Sequence, residues 1–462
     1  MEAAVSIEFG LKMSAKDAYS DTFENKFDIV FDLIDVPNCS LFQIIERVKG
    51  LSFNVDPDLV QIIIQKKLDA AFAVPECSEC GKRMRFRYRQ KKQAVTTVGT
   101  PEFDCPYLFC PTCGSFHTPY EDALNLRPGK YQYDVQKIAA LFSSGDTYEE
   151  SADLLNEVYR FNISTDTVHK LTGDIADGVE LLEIIPTSEE VLRIVERMSE
   201  GRHRRPVFVF AADGATAPVR TEEKGKPNCW KEVRGVRGYL LDSEHKIHLL
   251  SWHQIGSKGQ FRSYLNEVKE KGIIPEEKVR LCFIGDGAGW IRDTVKEVFP
   301  YCREVLDYFH CTEHLYDFSK LHHGDTASGR DWAENTRVRL FANNVSGVIS
   351  GLRRMKCCTD EAKESCRKLI GYLTEHSGRV DYGKIRRGGC PPGSGAVESA
   401  NKFIRHVRLK RSGARWKVEN ANNVLKLRCA RYNGKFNKVV EQHEAEKAEK
   451  RSHSGVKLRK IK

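Results

Sequence analysis

Apolar and polar positions follow several rhythms along this chain, and the changes of rhythm divide it. In residues 1–74 apolar clusters such as FDIVFDLIDV and DLVQIIIQKKLDAAF recur at helical spacing, which predicts a mostly helical N-terminal region. From 75 to 125 the pattern shortens to basic, aromatic strands, MRFRYRQKK among them, with a Val-Gly-Thr-Pro turn. Between 131 and 180 three helices are predicted, in VQKIAALFSSG, TYEESADLLNEVYRF and STDTVHKLTGDIADGV. Thr147, with Glu150 after it, and Ser164, ahead of an apolar run, occupy N-cap positions. A helix, a tight break and a second helix of this size make a helix-turn-helix candidate.

Residues 200–435 change character again. PVFVFAADGA reads as a buried strand ending in acid, KEVRGVRGYLLD and KIHLLSWHQIG as two more strands, and QFRSYLNEVKEKG as a helix. KVRLCFIGDGAGWI repeats the strand-then-acid pattern, and a helix and the strand REVLDYFH follow. Three strands, helix, strand, helix, strand is the order expected of an RNase H-like α/β sheet. Residues from about 311 to 388 return to helical spacing, as an insertion. The turn Gly388-Gly389-Cys390-Pro391-Pro392-Gly393-Ser394-Gly395 then releases into the helix AVESANKFIRHVRL, and 436–462 reads as a basic tail.

Charge sharpens this division. Residues 1–60 hold eleven Asp/Glu against five Lys/Arg, whereas 401–462 hold nineteen Lys/Arg against five Asp/Glu, more than the net +9 of the whole protein. A block of that kind asks for a polyanion or is simply a solvated tail. In the first reading Arg405, Arg408, Lys410, Arg411 and Arg415 contact phosphates without reading sequence. The start MEAAVSIEFG lacks the pattern of a signal peptide, and no apolar run reaches about 18 residues, so a cytoplasmic protein is expected. Fifteen cysteines, an odd number spread along the chain, fit a reduced compartment better than a disulfide framework.

Four of those cysteines are spaced for metal. Cys77-x-x-Cys80 and Cys110-x-x-Cys113 bracket a β-patterned loop and supply four thiolates for one structural Zn²⁺ in a zinc-ribbon-like module, with Cys105 as an alternative ligand nearby. Asp213 and Asp286 each follow a buried strand, where α/β sheets assemble sites, and each precedes a glycine. Glu398 lies in the first turn of the helix after the Gly/Pro turn. Three converging carboxylates are hard oxygen ligands for Mg²⁺ or Mn²⁺, and two such ions suit in-line attack on a phosphodiester. Ser164, Thr165, Thr167, His169 and Lys170 open the second helix of the helix-turn-helix candidate, where base edges would be read. Trp290 and Trp416 read as core residues.

The combination GDGAGWI, LDYFH and PPGSGAVES, with HVRLKRSGARWKVENANNVLKLRCARYNG after it, resembles the bacterial insertion-sequence transposases of the ISKra group and, more distantly, Mutator-type transposases. The resemblance runs from about Pro75 to Lys435. It implies an RNase H-like catalytic core with Asp213, Asp286 and Glu398 as the metal-binding acids of a DDE transposase, acting on element ends and target DNA. Asp307 and His310 match the Asp-x-x-His of the Mutator-type pattern, and either brace the site or, through His310, touch a phosphate or move a proton. Cutting two ends together implies a homodimer or larger assembly on DNA, associated with a bacterial nucleoid. The alternatives are a catalytically silent DNA-binding relative and an RNase H-like nuclease that cuts without joining.

Overall fold

The computed structural model describes residues 6–17, 20–32, 61, 64, 74–118, 124–221, 229–242 and 245–453. They divide into two compact units, one within residues 1–132 and one spanning 133–454. None of the described helices is long and apolar enough to cross a membrane.

The first unit begins with a correction. Residues expected to be helical form two antiparallel strands, β1 (Ser6–Asp17) and β2 (Ser20–Asp32). The strand rhythm was present in the sequence: Ile7, Phe9, Leu11 and Met13 alternate with other residues, as do Phe27, Ile29 and Phe31. The register pairs Ile7 with Phe31, Phe9 with Ile29 and Leu11 with Phe27, so a period of two prevails over the looser helical match. The second cluster, around DLVQIIIQKK, lies almost wholly outside the described residues. Further on, β3 (Arg85–Gln93), β4 (Glu102–Phe109) and β5 (Phe116–His117) make a three-stranded antiparallel sheet.

In the second unit α1 (Tyr133–Ser143), α2 (Tyr148–Tyr159) and α3 (Thr165–Asp177) fall where apolar periodicity predicts them. Thr147 and Glu150 form a reciprocal capping box, and Ser164 accepts from the Thr167 backbone N–H. Then come α4 (Ser188–Ser199), β6 (Val207–Val219), β7 (Cys229–Asp242), β8 (His245–Ile255), α5 (Lys258–Glu270), β9 (Arg280–Gly285), α6 (Gly289–Val298) and β10 (Arg303–Leu306). The expected succession of three strands, helix, strand, helix, strand is therefore the one found. In space the order is β10-β9-β6-β7-β8; β7 is antiparallel to both neighbours, and β9 and β10 run parallel to β6.

Helices cover both faces of this sheet, which is why β6 opens on an unbroken apolar run rather than an alternating one. Val207, Val209 and Ala211 face one core with Ile284, Leu315 and Leu369. Phe208, Phe210 and Ala212 face another with Trp252, Phe261 and Val295. Each fully buried Phe is worth about 1.5–3 kcal/mol. The first core is roofed by the inserted helices α7 (Tyr308–His323), α8 (Ala327–Phe341), α9 (Val345–Arg354), α10 (Asp360–Glu375) and α11 (Tyr382–Arg387).

After the Gly/Pro turn the chain runs through α12 (Gly395–Ala400), a π-helical turn over Asn401–His406, α13 (Val407–Leu409), α14 (Val418–Tyr432) and α15 (Phe436–His453). The last is a second correction, because residues 436–453 of the stretch expected to be a basic tail form a packed helix. Phe436, Val439 and Val440 recur at helical spacing and are buried in a core with Ile175 and Val424, while Lys447 reaches Asp174 at 2.7 Å. Trp416 is buried in that core as well, and Trp290 packs edge-on against Phe261.

Candidate active site

Strand register brings the first two acids together. The parallel ladder of β6 and β9 ends at the pair Ala211 and Ile284, and Asp213 and Asp286 each lie two residues beyond it. Asp307 follows β10, whose last residue pairs with Gly285, and its N–H donates to the Gly285 carbonyl at 2.8 Å. Asp286 and Asp307 thus follow the ends of β9 and β10, but Asp213 corrects the expected strand end: β6 runs on to Val219 paired with β7, so Asp213 lies in mid-strand, just past the point where the parallel pairing with β9 stops.

The fourth acid arrives on α12. Arg237 of β7 donates to the Ala396 carbonyl at 3.0 Å and pins the start of that helix over the sheet. Ser394 then links two of the acids: its N–H donates to Asp307 Oδ2 at 2.8 Å, and its hydroxyl donates to Glu398 Oε1 at 2.9 Å. Asp307 Oδ1 accepts from the N–H groups of Phe309 at 2.6 Å and His310 at 3.1 Å, capping α7. With both oxygens engaged and the residue 2 % exposed, Asp307 is a brace, and burial raises its carboxyl above the usual range against those hydrogen bonds. His310 lies at the rim with its side chain 43 % exposed and Nδ1 3.3 Å from Glu313.

Asp213 is the electrostatic centre. Burial and then the neighbouring Asp286 push its carboxyl up to about 6; Arg405 and the Gly214 N–H oppose this, and Glu398 adds to it. Asp286 accepts from the Ala288 N–H at 2.9 Å, which leaves its second oxygen for the site. Bound cations would relieve the repulsion among these acids, so their chemistry fits hard divalent ions. They are more widely spread than the cysteine sulfurs: among the described residues only Cys77, Cys80, Cys110 and Cys113 have ligand atoms all within 4.8 Å of one another.

A buried network behind Asp213 was not read from the sequence. Asn401 Nδ2 donates to Asp213 Oδ2, which leaves Asn401 Oδ1 to accept from His253 Nε2 at 2.9 Å. Burial takes the His253 imidazole down to about 3, so it is neutral and its one proton sits on Nε2. Gly235 lies in register between Asp213 and His253, and a Cβ there would stand 2.5 Å from His253 Nε2. Two signals were available, a glycine in mid-strand and an Asn one helical turn after Glu398. A π-helical turn at this point re-aims the side chains that follow Glu398, a feature common at functional sites.

The basic residues after Glu398 divide in two. Arg405 donates to the Thr216 carbonyl at 2.6 Å, beside Asp213. Arg408 is corrected from a DNA contact to a scaffold residue: it is 3 % exposed, donates to the Ser143 carbonyl at 3.0 Å, and lies between the rings of Tyr148 and Trp416. Arg411 pairs with Asp146 at 3.0 Å and with Glu150. These two fasten the corner between α1 and α2 to the segment after Glu398, whereas Lys410 is half-buried over Trp230 and Arg415 is exposed. On α3, Ser164, Thr165 and Lys170 are exposed; Thr167 bonds the Ser164 hydroxyl at 2.9 Å, and His169 meets Tyr148 edge-on.

In the first unit two matching turns present the cysteines. Gly81 N–H donates to the Cys77 carbonyl at 2.8 Å and Gly114 N–H to the Cys110 carbonyl at 2.9 Å. Both glycines have positive φ, +67° and +73°, as such a turn requires. Cys77 and Cys113 sulfurs are 3.5 Å apart, as are those of Cys80 and Cys110. Cys105 is excluded as a ligand, because it is buried with Ala94 and Phe103 in a separate cluster. All described cysteines are free thiols, and the four in the two knuckles can take a tetrahedral metal ion.

The profile of UPF0236, an uncharacterised protein family, matches residues 81–446. The chain belongs to the UPF0236 family. A relative described as "UPF0236 protein in vanSb 3'region", from Streptococcus gallolyticus, is 22 % identical over 335 residues, covering 69 % of this chain and 68 % of that protein. Among solved structures, a Drosophila P element transposase strand transfer complex aligns with 69 % of this chain and 82 % of its own at 9 % identity, with a TM-score of 0.27. The Mos1 strand transfer complex aligns with 55 % and 79 % at 11 % identity, with a TM-score of 0.14. Likenesses this slight establish neither fold nor function for the UPF0236 chain.

Proposed function

We propose that this UPF0236 protein is a DDE-type DNA transposase with an RNase H-like catalytic sheet. The observation that carries the reading is the placement of Asp213 and Asp286 two residues beyond the last parallel pair of the adjacent strands β6 and β9, with Glu398 close enough to act on Asp213. The strand order and the helical insertion are those the reading requires. Mg²⁺ or Mn²⁺ held by Asp213, Asp286 and Glu398, as two ions, would supply activation of a water or 3′-hydroxyl and stabilisation of the leaving oxygen. Asn401 fixes one oxygen of Asp213, Asp307 and Ser394 hold Glu398 over the edge, and His310 stands at the rim to meet a phosphate.

The rest of the chain serves end recognition. Cys77, Cys80, Cys110 and Cys113 hold a structural Zn²⁺ in a zinc-ribbon module. The exposed start of α3, with Ser164, Thr165 and Lys170 foremost and Thr167 and His169 behind, faces DNA as a recognition helix, while Lys410 and Arg415 meet phosphates. Two ends cut together require a homodimer or larger assembly on DNA, in the bacterial nucleoid.

The test is excision and joining of a donor plasmid carrying the flanking element ends, with Mg²⁺, comparing the chain with Glu398→Gln. Metal-dependent joining that disappears in the variant is expected. Cleavage without joining would replace the reading with a nuclease, and sequence-specific binding without cleavage in either protein would replace it with a silent DNA-binding relative.

A further inference from the structure

The sheet of the cysteine module carries a feature that its metal site does not use. Register between β3 and β4 pairs Phe86 with Leu108 and then Tyr88 with Tyr107, so Arg87 is an extra residue in a β-bulge. In a regular strand Arg87 and Tyr88 would point to opposite faces. The bulge turns both to one face, opposite the buried Leu108. There Tyr88 stacks on Tyr107 with ring centroids 4.8 Å apart and planes 18° apart. Tyr107 meets Phe116 at 5.1 Å, Phe116 meets Phe109 at 5.7 Å, and the Arg87 guanidinium lies 5.4 Å from the Phe116 ring.

Tyr88 is 45 % exposed and the other three rings are half-buried, so a continuous ladder of aromatic surface is open to solvent. Its surroundings are cationic. Residues 81–93, GKRMRFRYRQKKQ, contain seven Lys/Arg and no Asp/Glu. An apolar protein partner has little use for that density of positive charge, whereas a nucleic-acid strand supplies both the negative charge and the flat rings. Duplex DNA keeps its base faces stacked inside, so only unpaired bases reach the ladder.

We propose that the Tyr88–Tyr107–Phe116–Phe109 face, with Arg87, is a binding platform for single-stranded DNA, on which unpaired bases stack while neighbouring Lys and Arg residues hold the backbone. The choice of DNA over RNA rests on the proposed function. In a transposase the platform would hold a strand opened at the element end.

The experiment measures fluorescence anisotropy of labelled oligothymidine, of a duplex of equal length and of the matching RNA, with the full chain in Mg²⁺-free buffer. The wild type is expected to prefer the single DNA strand. Tyr88→Leu is expected to weaken that binding on the order of ten-fold, since one base–ring stack is worth about 1–3 kcal/mol. Tyr88→Phe keeps it, and Arg87→Ala lowers both affinity and salt dependence. Unchanged affinity in Tyr88→Leu, equal binding of the duplex, or tighter binding of the RNA would overturn the proposal. Without Mg²⁺ no cleavage is needed, so a chain that binds this way and never cuts disproves only the catalytic reading. A chain that cuts but lacks the preference disproves only the platform.

Discussion

The outermost of the four cysteine sulfurs are 36 positions apart in sequence, and two copies of one tight turn set them in place. The three proposed catalytic carboxylates span 185 positions (398 − 213), and they come together only because two adjacent parallel strands and a clamped helix bring them to one place on the sheet. The cysteine site needs little around it besides its turns. The carboxylate edge needs a second layer: Asn401 and His253 behind Asp213, and Asp307 and Ser394 behind Glu398. A site built from local turns recruits its metal to fold, whereas a site built on a sheet is already folded and holds its charges together at a cost. Removing a ligand should therefore have opposite effects on stability in the two places.

The largest effect is expected at the cysteines. Structural zinc in small modules is worth about 10–16 kcal/mol at neutral pH. Cys110→Ser, or a strong chelator, should unfold residues 74–118 while the unit spanning 133–454 keeps its own transition. Hydrogen exchange read peptide by peptide checks this, and protection that persists across both knuckles without metal would erase the contrast.

At the carboxylate edge the sign reverses. A folded-state pKa raised to about 6 from 3.8 means that Asp213 contributes stability that is present below its unfolded value and is lost as pH rises through about 6. At pH 7 in Mg²⁺-free buffer, Asp213→Asn should be more stable than the wild type by about 3 kcal/mol, while losing cleavage. Urea denaturation at pH 7 and pH 5 decides it: the advantage should shrink at the lower pH, and a destabilised variant would show that Asp213 is not held against repulsion.

A smaller effect of opposite pH dependence belongs to the network behind the site. Burial takes His253 of that network down to about 3, and burial aided by Arg237 takes His248, elsewhere on β8 and bonded to Asn433 at 3.2 Å, down to about 4. A depressed histidine contributes stability above its unfolded value of 6.5, lost as pH falls below it. By pH 5 each should cost the fold about 2 kcal/mol. His253→Gln should remove part of that acid sensitivity, and an acid profile identical to the wild type's would show that His253 is not the neutral donor to Asn401.

The strand succession and the first three helices of the larger unit were legible in sequence because their cores are periodic. VFVFAA is buried on both faces of the sheet, and Thr147 and Ser164 cap the helices they precede. The N-terminal strands were misread because FDIVFDLIDV satisfies both periods loosely, and only cross-strand register distinguishes them. The post-Glu398 arginines were read as one surface, but charge in sequence does not say which guanidinium is turned inward. Arg408 is engaged by a helix-end carbonyl and two rings, contacts that exist only once α1 and α13 are packed together.

By itself the sequence determined which residue types are available and where. It supplied four cysteines in two knuckles, two acids after buried apolar runs, one acid after a glycine turn, and the order of elements that carries them. Those features depend on neighbours within a few residues. Tertiary structure alone decided that Asn401, His253 and Gly235 stand behind Asp213, that Asp307 supports Glu398 through Ser394, and that a single bulge gathers Arg87 and Tyr88 onto one face. Each of these is a contact between segments distant in sequence or strand-paired in space, and such contacts are fixed by packing and register rather than by local propensity.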